Sequence, residues 1–238
     1  SYDARSRDEW NPGDETHPMP TQRGFDTYFG LLEAADSFWN PKSLTLQEML
    51  IKNESPEFHL TDAIAEHAAN QIDESIDMGK PFFQYVAFTA PHWPLHAWEE
   101  DIAKYEGRYM QGWDAIRTAR HEEMKGLGII DPKWPISARD EDSPPWESVA
   151  NKEYEEKYEN KAPGKLHSHV AMATMVESVD QSVGRHVKAL EESGTRDRTI
   201  IVFFADNGGY GPATDMAPLK GYKGTYYEGG IRVPFFVN

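Results

Sequence analysis

Two apolar runs limit what this chain can fold into more than anything else in it: PFFQYVAF at residues 81–88 and TIIVFFA at 199–205. Neither shows the strict alternation of a strand with one wet face, so both read as strands covered on both faces, the pattern of a parallel sheet. Each follows a stretch of helical periodicity. After Thr61 as N-cap, Ile64, Ala65, Ala68, Ala69, Ile72 and Ile76 recur at helical spacing until Gly79; before the second run, Ala173, Val176, Val179, Val183, Val187 and Leu190 form one stripe ended by Gly194. Two helix-then-strand units predict an α/β fold, layered α/β/α around a central, mostly parallel sheet.

The candidate chemistry lies just past these strands, where open α/β sheets bind ligands. Pro91 and Pro94 stop the first run from continuing and hold His92 between them. The second run breaks into Asp206, Asn207, Gly208 and Gly209. A carboxylate beside an amide oxygen suits a hard divalent cation such as calcium or magnesium, although Asp-Asn-Gly-Gly is equally good turn chemistry. Further on, LKGYKGTYYEGGIRVP sets Lys220, Lys223 and Arg232 against the single acid Glu228. A lysine there is a compact charge fitted to a sulfuryl or phosphoryl oxygen, and the glycines let backbone approach a ligand.

The rest of the chain is less regular. Residues 1–30 are punctuated by proline and glycine, and Ser43 is expected to cap a short helix through Leu50. Residues 98–165 read as a charged insertion with tryptophans at 98, 113, 134 and 146, a helix over 109–128, a turn at Pro144-Pro145 and a solvated charged segment NKEYEEKYEN whose composition is compatible with a helix. That insertion either packs its aromatic residues on the sheet edge or lines a substrate pocket. The closing IRVPFFVN resembles a core strand cut short, which predicts that residues 1–238 are a fragment.

Charge excludes some partners. With 40 acidic against 24 basic residues and a formal charge of -16, the chain is not built for non-specific contact with nucleic acid or anionic membrane. An anionic substrate must be caught locally, by a metal or a few cations. Cysteine is absent, which removes disulfides, zinc thiolates and a cysteine nucleophile; no apolar run reaches membrane-spanning length.

RGFDTYFG, PFFQYVAFTAPHWPLHA, ADNGG and KGTYYEGGIRVP, in this order, resemble the sulfatases of the alkaline-phosphatase-like superfamily, in particular the bacterial arylsulfatase branch. KYEGRYMQGWDAIRTARHEEMKGLGII is similar to the segment after the histidine motif there. The resemblance implies calcium-dependent hydrolysis of a sulfate ester to alcohol and sulfate. By motif, His92 and Lys223 would touch the sulfate, Asp206 and Asn207 would bind calcium, and Asp206 would help to activate the nucleophile. Arg23, Gly24, Phe25 and Asp26, with Glu228 and Arg232, would shape the surroundings. The family nucleophile is a formylglycine made within C/S-x-P-x-R, and no residue here stands in that pattern. The paired aspartates that complete the family's calcium site and its G-K-W-H-L-G-like segment are also missing. The chain is therefore expected to be a partial catalytic domain, inactive alone, from a periplasmic or secreted parent that takes a small-molecule or carbohydrate sulfate ester. Two alternatives stay open: a phosphate or phosphonate monoester hydrolase of the same superfamily, and a non-catalytic sulfatase-like remnant.

Overall fold

The computed structural model describes residues 19–32, 36–105, 107–139, 146, 168–210, 214 and 216–238, with only the backbone for 168 and 169. The chain divides into two compact units: residues through Ala97 with Thr174–Arg196, and Trp98–Ala173 with Asp197–Asn238. NKEYEEKYEN and Pro144-Pro145 lie outside the described residues.

In the first unit, β1 (Phe29–Leu31), β2 (Leu44–Leu46) and β3 (Met49–Leu50) form an antiparallel sheet in the order β1-β2-β3. Phe29 faces Leu46 and Leu31 faces Leu44; Leu46 in turn faces Met49. Gln47, at φ 57, turns the chain between β2 and β3. The helix expected from Ser43 through Leu50 is therefore a hairpin: Leu44 and Thr45 are buried in the strand, with Ser43 buried in the turn before it, and burial decides where propensity is weak.

Helix α1 (Leu60–Asp77) matches its periodicity and buries Leu60, Thr61, Ile64, Ala65, Ala68 and Ile72. Its N-cap is His59, with Thr61 inside the first turn, and Asp62 places a negative charge at the positive end of the helix dipole. Gly79, at φ +63, ends it as expected, with its N–H bonded to the Ile76 carbonyl.

The first expected strand behaves differently. Residues 81–88 form no strand and pair with none among the described residues, and their exposure alternates, leaving Phe83 and Tyr85 81% and 65% exposed. The polar Gln84 holds this segment to α1, its amide donating to the Ala68 carbonyl at 2.8 Å and the Gln71 amide oxygen at 3.3 Å.

In the second unit, α2 (Glu99–Ala103) and α3 (Trp113–Gly126) occupy the insertion. Trp113 and Trp146 meet edge-to-face at 4.9 Å, and the Arg117 guanidinium donates to the Ser137 carbonyl and hydroxyl oxygens, both at 3.1 Å. Helix α4 (Ser168–Glu192) lies mostly in the first unit and ends before Gly194, at φ +65. Its buried side only partly follows the expected stripe: Val176 is exposed and Ala173, Val179, Val183 and Val187 are half-buried, whereas Thr174, Met175, Ser178, Ser182 and the stripe's Leu190 are buried. The Ser178 and Ser182 hydroxyls donate to the Thr174 and Ser178 carbonyls, at 3.1 and 2.7 Å, so these polar groups enter the interior already satisfied.

The second unit also holds β4 (Val202–Phe204), α5 (Glu228–Ile231) and β5 (Phe235–Val237). β4 and β5 pair antiparallel, Val202 with Val237, Phe203 with Phe236 and Phe204 with Phe235, and all six are exposed. The expected layered α/β/α arrangement with a central mostly parallel sheet is thus corrected: the described residues form an α/β fold with one three-stranded and one two-stranded antiparallel sheet. The physical reason is that an unalternating apolar run signals a tendency to be buried but does not specify a hydrogen-bonding neighbour. A parallel partner needs a long crossover, usually helical. Among the described residues between β4 and β5, the one helix is the short α5.

Candidate functional site

β4 and β5 determine what stands beside Asp206. Because β5 returns antiparallel, the chain leading into it comes back along the chain leaving β4, and the Ala205 N–H bonds to the Pro234 carbonyl at 3.4 Å. Beyond that rung, the Gly208 N–H donates to the Gly230 carbonyl at 2.9 Å and the Lys223 N–H to the Gly209 carbonyl at 2.8 Å. The Gly229 N–H closes the second loop on the Lys220 carbonyl at 2.8 Å. ADNGG and KGTYYEGG are therefore bound to each other through main chain.

Glycine is what permits this. A Cβ at Gly208 would lie 1.8 Å from the Gly229 carbonyl oxygen, at Gly229 2.0 Å from that of Gly221, and at Gly230 2.1 Å from that of Thr225. Each glycine sits where another backbone passes too close for any side chain. The Thr225 hydroxyl adds a further tie, donating to the Tyr222 carbonyl at 2.8 Å.

On this frame Asp206 is exposed and Asn207 and Lys223 are half-buried. Among the described residues, none of these three side chains has a hydrogen-bonding or ionic partner. The other cations of the segment are committed: Arg232 pairs with Glu228 at 3.6 Å, and the Lys220 ammonium lies 4.1 Å above the centre of the Tyr227 ring. Lys223 is thus the cation of this segment without an ionic or ring partner among the described residues. Asp206 and Asn207 offer oxygen donors of the right kind for calcium. Calcium takes about six to eight oxygens, so the pair supplies only part of a shell. Among the described residues, no group of three or more His, Cys, Asp or Glu side chains could hold a metal ion.

His92 belongs to the first unit, whereas Asp206, Asn207 and Lys223 belong to the second. It is exposed on a turn closed by its own N–H to the Thr89 carbonyl at 2.9 Å. Its Nδ1 lies 2.7 Å from the Trp93 carbonyl oxygen. A carbonyl only accepts, so Nδ1 carries the proton of this bond, and Nε2 is the ring nitrogen with no hydrogen bond among the described residues.

The histidines that the motif reading passed over have structural work in the first unit. His96 is buried and its Nδ1 accepts from the Phe38 N–H at 3.1 Å, while the His59 Nε2–H donates to the His96 carbonyl at 3.3 Å. His59 stacks on Phe38 at 5.5 Å and lies 3.5 Å from the Asp62 carboxylate, which also meets Arg185 at 3.3 Å. The signal available for His96 was its place after two prolines, in PLHA. The glycine interlock was visible only as two Gly-Gly pairs whose meeting no local pattern announces.

Comparison with known proteins gives these segments a context. The sulfatase family model matches residues 7–238. An uncharacterized sulfatase of Schizosaccharomyces pombe is 30% identical over 230 residues, covering 90% of this chain and 40% of that protein. The arylsulfatase of Klebsiella aerogenes is 27% identical over 236 residues, covering 95% of this chain and 47% of the enzyme. Among solved structures, Ps i-CgsB in complex with k-i-k-neocarrahexaose superposes with a TM-score of 0.61 at 26% identity, over 94% of this chain and 41% of that one. The chain thus spans less than half the length of these relatives. With a family match across nearly all of its residues, and with ADNGG bonded to KGTYYEGG in its fold, this chain belongs to the sulfatase family.

Proposed function

We propose that residues 1–238 form part of the catalytic domain of a sulfuric ester hydrolase and carry groups that bind the ester rather than the group that attacks it. The observation that most supports this is the bond from the Lys223 N–H to the Gly209 carbonyl, which ties an uncommitted ammonium to the loop of an uncommitted carboxylate and amide. In this reading Lys223 grips the sulfuryl oxygens, where an added positive charge stabilises the transition state. Asp206 and Asn207 give oxygen donors to a calcium ion, which when bound would balance charge on the ester. His92, as an imidazolium, passes its Nε2 proton to the departing alkoxide and keeps the Nδ1–H on the Trp93 carbonyl, which holds the ring. The nucleophile is assigned to a formylglycine outside these residues, since none of them stands in C/S-x-P-x-R.

A carbohydrate sulfate is the substrate class we favour, supported by the neocarrahexaose complex of a 26% identical relative. The acidic chain, with its formal charge of -16, makes nucleic acid an unsuitable partner. No helix among the described residues is long and apolar enough to cross a membrane. A periplasmic or secreted location is part of the proposal.

The test is turnover of an aryl sulfate and the matching aryl phosphate by the whole protein. The sulfate should be preferred, and Lys223→Ala should lower kcat/KM for it by about a hundredfold or more. Residues 1–238 alone should show no turnover above the Lys223→Ala background. Preference for the phosphate would favour a phosphomonoesterase, and an unaffected Lys223→Ala enzyme would refute the role of that ammonium.

A further inference from the structure

We infer that Asn207 is a latent deamidation site, kept intact by the fold through the packing of Gly208 against Gly229 and Gly230. Asn207-Gly208 is the one Asn-Gly pair in the 238 residues. In such a pair the main-chain nitrogen of the glycine loses its proton to solvent and attacks the asparagine Cγ. A C–N bond forms, the side-chain amide leaves as ammonia, and water then opens the succinimide at either carbonyl to give aspartate or isoaspartate. Glycine speeds the attack because no side chain shields its nitrogen and its backbone turns freely.

Here both requirements are opposed. The Gly208 N–H is engaged with the Gly230 carbonyl at 2.9 Å, so its proton is not open to solvent base. Gly208 is also buried, and bringing its nitrogen onto Cγ would need a backbone rotation against Gly229. The same crowding explains why the labile pair is there at all. A Cβ at 208 would meet the Gly229 oxygen at 1.8 Å, so no residue with a side chain fits after Asn207. The sequence that the loop packing demands is chemically weak in a free peptide and protected in the folded loop.

Opening of this loop therefore controls the rate. The product carries one more negative charge beside Asp206, and the isoaspartate form lengthens the main chain by a methylene. The effect on Asn207 as an oxygen donor rests on the reading proposed above. The deamidation itself is read by mass and does not depend on sulfate chemistry.

The chain is incubated at mildly alkaline pH in buffer and in urea, and the tryptic peptide Thr199–Lys220 is followed for the mass gain of deamidation and for the isoaspartate isomer. Asn207 should deamidate about tenfold or more slowly in buffer than in urea, and the Gly208 amide should be protected from hydrogen exchange in buffer. Equal rates in the two solutions, or a Gly208 amide that exchanges as fast as an unstructured one, would overturn the inference.

Discussion

His186 donates from Nε2 to the Ala65 carbonyl at 3.1 Å, and its ring lies nearly parallel to that of Phe88, 6.3 Å away. Burial pushes its imidazole below the ordinary histidine value, against the smaller opposing effect of the Ala65 bond. His67, stacked on Phe29 at 4.7 Å, is lowered for the same reason. A group whose folded-state pKa is depressed binds its proton more readily in the unfolded chain. Stability from a neutral His186 is thus complete above the unfolded value of about 6.5 and is lost as pH falls toward the lower folded value. His186→Gln keeps a donor for Ala65 but does not titrate. Urea midpoints measured at about pH 7.5 and about pH 5.5 should fall less between the two for the variant than for the wild type. An equal or larger fall in the variant would show that this imidazole is not a source of the acid sensitivity.

The glycine interlock sets a ranking at the scale of loops and strands. Gly208→Ala puts a Cβ 1.8 Å from a carbonyl oxygen that is itself backbone, so strands or loop must move, at a cost of about 3 kcal/mol or more. Gly224, at φ +89, has nothing within 4 Å of its Cβ position; its alanine variant meets only the conformational penalty, about 1 kcal/mol. Urea denaturation should give that order, and equal losses would contradict the close approach. The same glycines show what was legible in the sequence. Helices α1 and α4 could be read because each carries a repeating apolar pattern and a terminal glycine, Gly79 or Gly194, in the left-handed conformation. The sheets could not, since an apolar run such as Phe203-Phe204 is silent about whether its partner is parallel or, as with Phe235-Phe236, antiparallel. Ser43–Leu50 failed because Gln47 turns the chain in a conformation rare for glutamine. At the candidate site, Asp206, Asn207 and Lys223 were legible as residue types beside glycines, whereas their joining by Lys223 to Gly209 is a long-range bond.

For the molecule as a whole, a formal charge of -16 means that any oxyanion is drawn to a small local site against a repulsive background. The account therefore depends on Lys223 and the 206–209 loop acting as one site. The most direct measurement is an NMR titration of the chain with inorganic sulfate, with chloride at matched ionic strength as the control. The amides of residues 206–209 and 222–225 should shift together along a single binding curve, and both sets should stop responding in Lys223→Ala. Shifts confined to one of the loops, or spread over the surface as chloride produces them, would contradict the account.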